Sequence, residues 1–161
     1  MTTTRNEATI AADPALPIIE IVREFDAPPE LVYRAHVDPE LFARWCGPNG
    51  MTNTIEVWDA RDGGSWRYVA ERDGATFGFH GCFHQLKPAE RIVQTFTWEG
   101  MPDEVSLGFA DFIDLGDGRT RLRERSLCDS FEARDGWLHS GMEVGVNDGY
   151  GKLDAVLVEL S

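Results

Sequence analysis

Three residues with metal-ligand chemistry stand two positions apart in the stretch GFHGCFHQL: His80, Cys82 and His84. On a β-strand this spacing turns all three to one face, and imidazole and thiolate are ligands that zinc takes. The alternate positions are Phe77, Phe79, Gly81 and Phe83. Because an aromatic row belongs against a core, the strand is expected to bury that row and leave His80, Cys82 and His84 facing solvent. The flanking segments SWRYVAER and ERIVQTFTWE hold no His or Cys that would complete a coordination shell. The row is therefore read as an outer wall, with no metal. The remaining candidates for proton chemistry are His139, Asp111 and Glu124. Continued alternation would turn both carboxylates inward, where burial raises a carboxyl pKa toward a range useful for acid–base work. No GxSxG elbow, Walker loop or GxGxxG is present, and no cofactor is expected.

These residues need elements to position them, and the punctuation of the chain supplies the order. PIIEIVREF alternates and is rich in β-branched residues, which predicts a strand. APPELVYRAHVDPELFARWCGP holds two short helical patterns opened by proline, with Asp38 as an N-cap. From Thr52 to Cys128 six strands are separated by RDGG, RDG, KPAE, EGMPD and GDG, turn clusters that join antiparallel neighbours. The segment from Asp129 onward is read as one long amphipathic helix, capped by Asp129 and carrying Leu138, Met142, Val146, Leu153 and Leu157 on its apolar stripe. A curved sheet must bury one face, and this helix is the element able to cover it. The fold class is thus α+β: a seven-stranded antiparallel sheet wrapped around a long C-terminal helix, with two short helices between the first and second strands. Residues 1–16 are read as a disordered tail and 17–161 as one domain.

Composition narrows the partners. The 161 residues include 28 acidic and 15 basic ones, a net charge of −13, which opposes nucleic acid and anionic membrane surfaces. No run approaches the roughly twenty apolar residues of a membrane span. Cys46, Cys82 and Cys128 are odd in number and scattered, so a disulfide framework is not expected and a reducing, cytoplasmic setting is.

The segments REFDAPPELVYRAHVDPELFARWCGP, DARDGGSWRY, GCFHQLKPAERIVQTFTWEGMP, DGRTRL and SFEARDGWLHSGMEVGV, in that order, resemble the activator of heat shock protein ninety ATPase homologue-like family. That family belongs to the START and Bet v-type helix-grip superfamily, and the resemblance runs from about Ile18 to the C-terminus. It implies an apolar cavity between sheet and helix, which in the superfamily holds lipids, sterols, polyketides or other hydrophobic molecules. It fixes no chemistry.

With that implication, period-two alternation nominates wall residues: Trp66 and Tyr68, Phe77 and Phe79, Phe96 and Trp98, Phe109 in line with Val105 and Leu107, and Leu122 in line with Thr120. Trp45, beside Cys46, Gly47 and Pro48, suits the rim, with its indole N–H available to a polar group. From the helix come Met142 and Val146, together with Gly145 and Gly149. Gly141, Gly145 and Gly149 each cost about 1 kcal/mol in a helix, and space for a ligand is the favoured reason. The expected function is binding of a small hydrophobic molecule of lipid, polyketide or aromatic type, as carrier or sensor, by a monomer or homodimer. The alternatives are a cyclase-, dehydratase- or hydrolase-type enzyme using the same cavity, and a co-chaperone-like interaction module.

Overall fold

Eight strands form one antiparallel sheet in the computed structural model of the chain, which describes residues 6–161. They are β1 (Thr9–Ala12), β2 (Ile18–Phe25), β3 (Thr52–Trp58), β4 (Ser65–Arg72), β5 (Ala75–Lys87), β6 (Arg91–Trp98), β7 (Ser106–Gly116) and β8 (Arg119–Leu127). The order across the sheet is β1-β2-β8-β7-β6-β5-β4-β3. Helices α1 (Pro29–Val37) and α2 (Pro39–Trp45) lie between β2 and β3 in sequence, and α3 (Phe131–Leu138) and α4 (Met142–Leu160) end the chain.

The expected seven strands become eight because Thr9–Ala12, within the segment read as a tail, pairs with Ile19–Val22. Residues 1–5 of that segment lie outside the described residues. The meander from β3 to β8 follows from its turns. Asp73–Gly74 and Asp117–Gly118 all adopt positive φ, as two-residue hairpin loops require. Irregularities between Ile55 and Val57 and between Phe83 and Gln85 interrupt the register and favour curvature.

The C-terminal segment also departs from expectation, since it is two helices. Ser130, not Asp129, caps the first by accepting from the Ala133 amide at 3.0 Å. The chain then breaks, and Gly141 at φ +87° is the N-cap of α4. Leucine periodicity runs through His139–Gly141 without registering the break, because the left-handed residue is a backbone event that hydrophobic spacing does not encode.

The sheet wraps its concave face around α4. Phe25, Val32, Leu122 and Leu153 are fully buried where sheet, α1 and α4 meet. Arg23 points into this core from β2 and is held by Asp154 of α4. A second cluster of Trp66, Tyr68 and Phe83 occupies the half of the sheet nearer β3.

Candidate functional site

Between the two clusters lies a cavity of about 380 Å³. Its sheet wall is built by alternation. β2 contributes Ile19 and Ile21, β4 contributes Trp66 and Tyr68, and β6 contributes Ile92, Gln94 and Phe96. On β7 the inward residues are Ser106, Gly108 and Ala110, so that strand lines the space with almost no side chain. Trp45 and Phe42 of α2 close one side; Met142, Gly145, Val146, Gly149 and Tyr150 of α4 close the other, with Trp137 of α3 beside them.

The register of β5 fixes which of its faces is buried. Gly81 and Phe83 are buried and Phe79 partly so, whereas His80, Cys82 and His84 are exposed on the outer face. His80 Nδ1 lies 2.9 Å from Glu99, which also accepts from Arg67 and is pulled down to about 2, chiefly by that guanidinium. Among the described residues no group of three or more His, Cys, Asp or Glu side chains converges as a metal site. Gly81 has a structural reason: a Cβ there would collide with the Thr95 carbonyl and fall 2.7 Å from Cζ2 of Trp66, so neighbouring backbone and indole both use the space where the side chain is missing.

Of the nominated wall residues, Trp45, Trp66, Tyr68, Phe96, Met142, Gly145, Val146 and Gly149 border the cavity. Phe79 stacks behind the wall, 5.1 Å from Tyr68 and 5.5 Å from Phe96. Leu122 is spent in the core at 1% exposure. Trp98 borders a separate small recess, and Phe77, half-buried opposite Ala70 near the end of β5, lies away from the cavity.

Phe109 also borders the cavity, but its ring lies on the outer face between the guanidiniums of Arg91 and Arg125, 5.2 and 5.0 Å from the ring centre. Val105 and Leu107 share that parity. Asp111 does too, and instead of facing inward it pairs with Arg91 and Arg125 outside. Within this outward apolar row Phe109 is covered by two stacked guanidiniums, a covering that local alternation does not register.

Glu124 does face inward, as alternation with Leu122 requires. Its Oε1 is shielded from solvent and has no hydrogen-bond partner, the surface the residue retains borders the cavity, and burial pushes its carboxyl up to about 7. Trp45 differs from expectation. Its indole N–H donates to the Ala35 carbonyl at 2.9 Å and is therefore committed to joining α2 to α1.

His36 was not nominated, yet it borders the cavity between Trp45 and Phe112, with ring separations of 4.9 and 5.2 Å. Burial lowers it to about 4, so it is neutral at neutral pH. The signal was present, since Val32, Ala35 and His36 share one helical face. Cys46 was likewise passed over. Its Sγ sits 3.4 Å from the Tyr68 hydroxyl, and burial pushes the thiol up to about 11, which keeps it from acting as a thiolate nucleophile.

The three helix glycines separate into different roles. Gly141 is a cap. A Cβ at Gly149 would stand 3.1 Å from the Trp45 carbonyl oxygen and 3.4 Å from the Gly47 nitrogen, so α4 is docked on the backbone after α2. At Gly145 the nearest atom is Pro48 Cδ at 3.5 Å, an ordinary contact beside open cavity.

An antiparallel sheet closed over a C-terminal helix around an apolar chamber defines a helix-grip protein. The family model described as Activator of Hsp90 ATPase homolog 1-like protein matches residues 26–158, and the chain belongs to that family. No curated protein matches it. A crystal structure of a Rhodobacter sphaeroides protein is 27% identical with a TM-score of 0.84, covering 96% of this chain and 100% of its own. A solution structure from Arthrobacter aurescens is 26% identical with a TM-score of 0.84, over 94% and 91% of the two chains. The AHSA1 protein of Silicibacter pomeroyi shares the fold at 20% identity and a TM-score of 0.72, over 89% of this chain and 99% of that one. Among the described residues no helix is long and apolar enough to cross a membrane.

Proposed function

We propose that the protein binds a small hydrophobic molecule in this cavity, as a carrier or sensor. The supporting observation is a chamber of about 380 Å³ in an otherwise close-packed interior, lined mainly by aromatic and aliphatic groups and kept open by Ser106, Gly108, Ala110 and Gly145. Its volume falls in the range of about 300–1,000 Å³ usual for small-molecule sites. Close packing is the default of protein interiors, so space bounded by residues this small needs a reason. A catalytic use of the same cavity is favoured by one feature, the carboxyl of Glu124 poised near neutrality.

The test is titration with the neutral fluorophore N-phenyl-1-naphthylamine. Gly108→Leu, whose added side chain enters the cavity from β7, should abolish saturable binding while thermal unfolding stays cooperative. A folded variant that binds as well as the parent would sink the assignment. Native mass spectrometry of protein purified from its source would then report the mass of any retained molecule.

A further inference from the structure

Four polar atoms of residues bordering the cavity have no hydrogen-bond partner within the protein: His36 Nε2, Glu124 Oε1, Trp66 Nε1 and Arg125 Nε, the last belonging to a guanidinium stacked on Phe109 on the outer face. Their donor and acceptor characters are defined by chemistry. His36 Nδ1 lies 2.8 Å from the Val32 carbonyl oxygen, which only accepts, so Nδ1 carries the hydrogen and Nε2 presents a lone pair. An ionised Glu124 is also an acceptor. The indole of Trp66 only donates.

Their placement is uneven. The His36 ring packs on Phe112, Phe112 is the register partner of Leu122, and Glu124 follows Leu122 by two residues, about 7 Å along β8. The two acceptors thus occupy adjacent rows of one wall. Trp66 is four strands away across the sheet. Cations on the framing elements are engaged elsewhere. Arg23 is held by Asp154, Arg125 stacks on Phe109 outside the sheet, and Lys152 donates to the Pro48 carbonyl.

Resting on the cavity-binding reading above, we propose that the ligand is an apolar, ring-bearing molecule whose head group donates hydrogen bonds to this pair of acceptors, a protonated amine to both His36 and Glu124 or an alcohol to one of them, and that molecules headed by a carboxylate are rejected. A protonated amine carries hydrogens for both acceptors, and an alcohol, with its single O–H, satisfies one of them. A carboxylate would bring further lone pairs against them and add a like charge beside Glu124, inside a protein of net charge −13. Trp66 meanwhile offers its N–H to an acceptor on the ligand's far end.

The experiment displaces N-phenyl-1-naphthylamine from the full chain at pH 7.5 with four compounds sharing one ring system: 1-naphthylmethylamine, 1-naphthalenemethanol, 1-methylnaphthalene and 1-naphthoate. The expected result is that the amine, the alcohol or both bind at least about ten-fold tighter than the methyl compound and the naphthoate. If the charge of Glu124 recognises an ammonium head, Glu124→Gln lowers the amine's affinity by about ten-fold and leaves the alcohol nearly unchanged; an alcohol head gives the reverse ranking in the parent and a small response to the variant. Should the glutamine variant not fold, Glu124→Leu replaces it. Equal affinity for the amine, the alcohol and the methyl compound overturns head-group recognition while leaving cavity binding upheld, and tightest binding of the naphthoate overturns it outright. Failure of the parent to bind the fluorophore overturns the cavity reading itself, and this proposal with it.

Discussion

Arg23 of β2 and Asp154 of α4 meet across the core, guanidinium to carboxylate, through two hydrogen bonds of 2.6 and 2.8 Å. Arg23 is 6% exposed and Asp154 40%, so the arginine is the committed partner and the aspartate its link to water. The guanidinium also lies 4.6 Å over the Phe25 ring. This is the charged clasp between sheet and helix, set into an otherwise apolar seam.

Removing Asp154 strands a buried charge. Asp154→Ala should destabilise the protein by about 2–3 kcal/mol, below the 3–5 typical of fully buried pairs because the carboxylate keeps water contact. Arg23→Met removes the charge and keeps most of the stem's packing, and should cost less. Urea denaturation of both variants checks the ranking, and a larger loss in Arg23→Met would mean that the pair stabilises by more than its desolvation costs.

Gly149 and Gly145 should respond to alanine with opposite signs. At Gly149 the new Cβ presses on backbone atoms of Trp45 and Gly47, so helix or loop must shift, at about 1–3 kcal/mol against a gain in helix propensity of about 1. At Gly145 the same gain comes without a clash. Thermal unfolding should therefore place Gly149→Ala at or below the parent and Gly145→Ala above it. The reverse order would disprove backbone-level docking of α4.

Two of the inward titratable groups, His36 and Glu124, pull stability in opposite directions with pH. His36, lowered from 6.5 to about 4, refuses in the native state a proton that the unfolded chain takes, so its contribution rises with pH across that window. Glu124, raised from 4.5 to about 7, holds in the native state a proton that the unfolded chain has lost, so its contribution falls as pH rises from 4.5 through 7. The slopes nearly cancel between about 4.5 and 6.5. Glu124→Gln removes the falling limb and should exceed the parent's stability by on the order of 2 kcal/mol at pH 8, the two converging toward pH 4.5. A constant difference between pH 5 and pH 8, read from urea midpoints, would contradict this.

Where one face of a strand is aromatic and the other polar, as on β5, sequence alternation settles which side is buried, and Phe83 and Cys82 fall where their chemistry demands. The sequence misleads where an outward face is also apolar. Along the first half of β7 the large residues are Leu107 and Phe109, and nothing local reveals that Arg91 and Arg125, distant in sequence, will cover Phe109 while Gly108 and Ala110 take the interior. The same limit applies to Trp45, whose indole looks available until α1 brings the Ala35 carbonyl beneath it. Among site residues Trp45, Trp66, Tyr68 and Phe96 were legible because burial follows from their type, whereas Phe42, Trp58, Trp137 and Tyr150 also line the cavity without having been singled out. His36 was marked only as a member of the α1 face that carries Val32 and Ala35, and Cys46 not at all, because where each ends depends on how two short helices pack on a sheet that the helical pattern alone does not locate.

The chamber's size is set by side chains that are missing from β7 and α4, while stability resides in Phe25, Val32, Leu122 and Leu153, which do not border it. Capacity and endurance are thus written at different addresses in the chain. A drift from glycine to alanine at Gly108 or Gly145, or from serine to valine at Ser106, trims the space by a methyl group or two and leaves the supporting core unaltered. A lineage built on this plan could change what it carries by small steps, each compatible with a folded protein, without first passing through an unstable form.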